Sequence, residues 1–157
     1  ETLSEHHYER LFLYCVTWAL GGMLPVQDRA KLSKEMVELC DGNHPRFMSE
    51  EETFFEYFVD EGNSEWIHWN TKVPTWEYPT SEEKPRFARL IIPTLDSVRL
   101  ESLLGLVTSV DKQALFVGGP GTAKTTAIKS FMSQFDSDEI RQKSITFSSL
   151  TTPQTFQ

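Results

Sequence analysis

Apolar residues run almost unbroken around a helical wheel from residue 8 to residue 20 and then stop at Gly21-Gly22. That pattern predicts a core helix ended by glycine. A second helix is predicted over residues 27–40, with Leu32, Met36, Val37 and Leu39 on its buried side and Asp28 in its first turn. Asp41-Gly42-Asn43-His44-Pro45 interrupts the pattern as a loop. Ser49 followed by Glu52 has the spacing of a capping box ahead of the aromatic run Phe54, Phe55, Tyr57 and Phe58. Aromatics at helical spacing are core residues more often than a partner groove.

The pattern changes after residue 62. Trp66, His68, Trp76 and Tyr78 flank Asn70-Thr71-Lys72, which predicts two short strands or an extended connector pinned by tryptophan. Trp66, Trp69 and Trp76 could stack on a base, but clamping the connector is the simpler use. Ser81-Glu82-Glu83-Lys84-Pro85 is a charged linker and the expected boundary, dividing the chain into residues 1–80 and 81–157. A helix capped by Thr94, with Asp96 in its first turn, is expected to reach about residue 108. Its apolar face is expected from Leu95, Val98, Leu103, Leu106 and Val107. Residues 114–117 read as a strand buried on both faces of a parallel sheet, and residues 143–149 as the next strand. Thr151-Thr152-Pro153 then caps a last helix.

Between strand and helix lies Gly118-Gly119-Pro120-Gly121-Thr122-Ala123-Lys124-Thr125-Thr126. Strand, glycine loop and helix in this order form the layout that binds a nucleoside triphosphate. The glycines let backbone N–H groups turn inward around phosphate. Lys124 brings a positive charge to the β/γ-phosphates, and the Thr125 hydroxyl is placed for Mg²⁺. The following helix, expected over residues 123–135, aims its positive dipole end at the anion. Ala123 stands where glycine normally precedes the lysine. If that residue is left-handed, alanine costs roughly 1–2 kcal/mol, small beside charge-assisted phosphate bonds of about 1.5–3 kcal/mol each.

Composition narrows the classes. The 157 residues are 39% hydrophobic and 12% aromatic, enough for a packed core. The net charge of −8 is uneven: residues 1–90 hold 9 Lys/Arg against 17 Asp/Glu, and residues 91–157 hold 6 of each. An acidic surface argues against nucleic-acid binding and suits contact with other protein. No apolar run reaches the length of a membrane span. Cys15 and Cys40 lie in helical patterns and are expected to be buried free thiols, and the four histidines show no ligand spacing. Hydrolysis needs an acid at a later strand end, whereas Asp136, Asp138 and Glu139 fall in a polar connection. No catalytic residue is therefore assigned. The chain is expected to be a segment of something longer, and not to hydrolyse ATP usefully alone.

Four landmarks in order carry a family resemblance. They are residues 12–22 with Asp28-Arg29, Trp66-Ile67-His68-Trp69 with Val73-Pro74, Ile92-Pro93-Thr94-Leu95-Asp96-Ser97-Val98-Arg99, and the glycine loop followed by residues 146–152. Together they resemble the dynein heavy chain motor across the join between its second and third AAA+ modules. The implied fold is α/β: a helical lid and connector, then the N-terminal part of a P-loop AAA+ parallel-sheet domain, truncated. The loop is similar to a Walker A loop, and Ala-Lys-Thr in place of Gly-Lys-Thr resembles ciliary dyneins more than cytoplasmic ones.

The resemblance implies a ring-shaped, ATP-driven microtubule motor of the cytoplasm and ciliary axoneme, whose third module is a regulatory nucleotide site. It implies ATP or ADP with Mg²⁺ held by residues 118–126, with Ile91, Ile92 and Pro93 near the adenine. Its implied partners are neighbouring AAA+ modules of the same chain, microtubules and other dynein subunits, with no nucleic acid or membrane. Two other readings stand beside it: a small P-loop phosphoryl-transfer enzyme, and a structural AAA+ module whose loop binds nothing.

Overall fold

A computed structural model describes residues 4–78, 90–136, 140–149 and 151–156. Its helices are α1 (Glu5–Ala19), α2 (Val26–Leu39), α3 (Leu95–Ser109), α4 (Lys124–Met132) and α5 (Pro153–Phe156). The strands β1 (Tyr57–Val59) and β2 (Trp66–His68) pair antiparallel, with Tyr57 opposite His68, Phe58 opposite Ile67 and Val59 opposite Trp66. Two compact units emerge: Glu1–Lys84 with Ile92–Arg99, and Pro85–Ile91 with Leu100–Gln157.

In the first unit, α1 begins where Ser4 Oγ accepts the His7 amide at 3.3 Å. It ends at a 3₁₀ turn over Gly21–Met23. Glycine is required at position 21 by close packing, since a Cβ there would stand 2.6 Å from Phe55 Cζ and 2.7 Å from Leu32 Cδ2. On α2 the buried positions are Ser33 and Met36, and the expected core residue Leu39 is 83% exposed in the helix's last turn. Ser33 is inside because its hydroxyl accepts the buried Phe54 amide at 3.3 Å. Cys15 also departs from expectation and is exposed. It lies two positions from fully buried Thr17, about 200° round the helix.

The aromatic run is core, though not as a helix. Phe54–Glu56 is a 3₁₀ turn that passes directly into β1, and Phe54, Phe55, Tyr57, Phe58 and Trp69 are all buried. The capping box lies four positions beyond the expected one. Glu56 accepts from the Thr53 amide at 2.8 Å, while Thr53 Oγ1 accepts from Phe55 at 3.3 Å. Glu52 is instead drawn to the buried Tyr57 hydroxyl, which donates to it at 2.5 Å, and to the Met48 amide at 2.8 Å. That pairing holds the Glu52 carboxyl below the usual carboxylate range. Among the described residues one strand lies beyond residue 62, and its partner is the aromatic run itself. Trp66 and Trp69 serve as clamps: Trp66 Nε1 donates to Asn43 O at 2.7 Å, and Trp69 is 1% exposed.

In the second unit α3 carries Leu104 buried, while Leu106, expected on its inner face, is 49% exposed. Thr94 and Ser97 cap the helix reciprocally, at 3.2 Å (Ser97 amide to Thr94 Oγ1) and 2.9 Å (Thr94 amide to Ser97 Oγ). Residues 114–117 and 143–149 are not strands. Leu115 and Val117 are 87% and 86% exposed, because no neighbouring strand pairs with them among the described residues. An isolated extended segment cannot satisfy its backbone or bury its side chains alone. The linker expected over residues 81–85, with Asp138, Glu139 and Leu150, lies outside the described residues.

Candidate nucleotide-binding site

Residues 118–126 come together as one turn onto α4. Gly121 has φ +76° and Ala123 φ +55°, ψ 12°, so both are left-handed. Ala123 thus occupies the strained geometry that its replacement of glycine put in question. As the N-cap of α4 it offers no side-chain hydrogen bond, and the first helical bond runs from Ala127 N to Ala123 O at 2.9 Å. The amides of Lys124, Thr125 and Thr126 precede that bond, so they have no intrahelical acceptor and lie at the positive end of the helix.

Lys124 folds back over the loop. Its ammonium donates to Gly118 O at 2.9 Å, Gly119 O at 2.6 Å and Thr122 Oγ1 at 2.8 Å. Thr122 in turn donates to Gly119 O at 2.9 Å. A Cβ on Gly118 would make ordinary contact with Thr122 Oγ1 at 3.4 Å and Lys124 Nζ at 3.7 Å. Gly119 and Gly121 face open space. A cation at the centre of a glycine turn, beside uncapped helix amides, fits a phosphate chain.

Two match regions divide the sequence between them. Residues 1–71 match the dynein heavy chain AAA lid domain, and residues 79–157 match the P-loop containing dynein motor region. The chain belongs to the dynein heavy chain family. It is 49% identical over 155 residues to the dynein gamma chain of the flagellar outer arm from Chlamydomonas reinhardtii, covering 99% of this chain. Against dynein axonemal heavy chain 5 from Mus musculus it is 34% identical over 160 residues, again 99% of this chain. Against dynein axonemal heavy chain 8 from Homo sapiens the identity is 29% over 160 residues, 96% of this chain. The chain spans about 3% of the length of these relatives.

A dynein heavy chain motor region of the AAA+ type accounts for a lid unit beside a P-loop unit. Ile91 and Ile92 are 42% and 56% exposed and Pro93 is half-buried, all ahead of α3. Among the described residues no group of three or more His, Cys, Asp or Glu could hold a metal, and no helix is long and apolar enough to cross a membrane. Sequence pattern places Arg99 on a helix face and nothing more; the structure gives it four partners, described below.

Proposed function

We propose that residues 118–126 form the Walker A loop of a regulatory ATP site in a dynein motor ring, the site of its third module. The observation that carries this reading is the Lys124 ammonium seated among Gly118 O, Gly119 O and Thr122 Oγ1 at the uncapped start of α4. The loop amides of Gly119, Gly121 and Thr122 and the α4 amides of Lys124, Thr125 and Thr126 would hold phosphates, and the Thr125 hydroxyl the Mg²⁺. Ile91, Ile92 and Pro93 would line the base. When bound, the nucleotide would supply a cleavable phosphoanhydride, and this chain would bind and orient it.

The lid and connector occupy residues 1–80 and the P-loop module residues 81–157. In the whole motor the site would act mechanically, its occupancy biasing closure against neighbouring AAA+ modules and so release from the microtubule. The axonemal names of the relatives support a place in the ciliary or flagellar cytoskeleton, alongside other dynein subunits.

Affinity for an ATP analogue, measured in the assembled heavy chain with Lys124→Ala against wild type, tests the reading. A loss of at least about tenfold is expected, roughly 1.4 kcal/mol. Equal affinity would favour a structural module whose loop binds nothing.

A further inference from the structure

α3 is one continuous helix of 15 residues, yet the two compact units divide it immediately after Arg99. Residues 92–99 match the P-loop motor region by sequence but pack with the lid. Within this segment, Arg99 reaches into the lid with its side chain. Its Nη1 donates to Phe55 O at 2.9 Å and stands 3.6 Å from Glu56 Oε1, and its Nη2 pairs with the Asp96 carboxylate. Its guanidinium carbon lies 5.7 Å from the Trp18 ring centroid. Trp18 meets Phe55 edge to face at 5.3 Å, and Arg29 lies over the Phe55 ring at 4.7 Å.

Only a planar fork serves a carbonyl, two carboxylates and a ring at once; an ammonium cannot. Two guanidinium groups on one aromatic pair repel each other. Burial first, and then the charge of Arg99, draws the pKa of Arg29 down, with Glu56 and Asp96 opposing. The acids at positions 56 and 96 are therefore part of the clamp.

Resting on the nucleotide-site reading above, we infer that Arg99 is a positioning residue for that site: it fixes the first half of α3, and with it the Ile92-Pro93 lead-in, to the aromatic core of the lid. The lid thereby sets the geometry of the segment proposed to meet the base. By linkage the effect runs both ways, so nucleotide at the loop must also tighten the lid.

The test uses the assembled heavy chain. Arg99→Met is expected to weaken binding of an ATP analogue about fivefold or more, with Arg99→Lys regaining part of the loss. In wild type, analogue binding should slow hydrogen exchange at the amides of residues 54–59, and Arg99→Met should abolish that response. A purely structural arginine would raise exchange there without removing the nucleotide dependence. Unchanged affinity together with an intact exchange response in Arg99→Met overturns the inference. Should Arg99→Met fail to fold, Arg99→Lys is compared in the same way. Loss with Lys124→Ala but none with Arg99→Met or Arg99→Lys rejects the positioning role alone, whereas no loss with Lys124→Ala rejects the nucleotide site itself.

Discussion

The lid unit and the P-loop unit of this chain use apolar residues in opposite ways. Of the buried hydrophobic residues, Met36, Phe54, Phe55, Tyr57, Phe58, Val59 and Trp69 all belong to the lid, against Leu104 and Ala127 in the P-loop unit. The lid closes its own core: turn, strand pair and helices each satisfy the others' backbone, as Ser33 does for Phe54 and Trp66 for Asn43. The P-loop unit holds its most apolar segment, residues 114–117, in the open. The lid's two strands meet across a short connection, whereas a central strand of a parallel sheet needs partners reached by long crossovers. Local structure therefore closes in one unit, while the apolar run of the other stays unpaired among the described residues. The glycine turn still forms, because its geometry depends on Gly121, Ala123 and Lys124 rather than on the sheet.

The sharpest way to break this contrast is to truncate one large apolar residue in each unit. Trp69→Ala removes a side chain that is 1% exposed and should cost about 3–5 kcal/mol in denaturant unfolding of the lid. Leu115→Ala, at 87% exposure, should change the stability of this chain by less than about 0.5 kcal/mol. A cost at Leu115 approaching that at Trp69 would mean the strand is already paired, and the comparison would fail.

How legible each part was follows from the same difference. The helices α1, α2 and α3, their glycine or threonine boundaries and the aromatic core are set by local periodicity and caps, and the residues state them directly. The aromatic run misleads because Phe54, Phe55, Tyr57 and Phe58 fit helical spacing, yet strand pairing of Tyr57 with His68 across a hairpin wins. The capping box shifts because a buried tyrosine hydroxyl needs an acceptor and takes Glu52. The phosphate loop was visible as a motif, and its backbone strain was located at the alanine that breaks the motif. Arg99 was invisible, since its partners at positions 18, 55 and 56 are remote in sequence.

Alkaline pH separates the units by a smaller margin. All four tyrosines lie at or before residue 78. Burial, and then its hydrogen bond to Glu52, raises the Tyr57 phenol to about 12; burial, and then Cys15, raises Tyr14 to about 12 as well. A phenol whose pKa is raised by folding contributes stability that is fully present below its unfolded value, near 10, and lost as pH rises through the folded value. The lid should therefore lose stability between about pH 10 and 12, with Tyr57 contributing on the order of 2 kcal/mol. Hydrogen exchange resolved by segment should show this in residues 54–69 and not in α4. Tyr57→Phe should flatten the dependence, and an unaltered slope would place the titration elsewhere.

The smallest expected effect sits in the loop and tests whether its shape is intrinsic. Ala123 holds φ +55° without a side-chain cap, at a cost of roughly 1–2 kcal/mol that glycine would avoid. Ala123→Gly also frees the unfolded chain, which returns about 0.4–1 kcal/mol in the opposite direction. The net gain should fall between about 0 and 1.6 kcal/mol, read as slower exchange in the first turn of α4. Because the same left-handed turn presents the amides to phosphate, ATP-analogue affinity should rise with it rather than fall. A destabilised helix start in Ala123→Gly would mean that sheet closure, rather than the turn, dictates this residue's backbone, and that the loop is less independent of distant chain than its local geometry indicates.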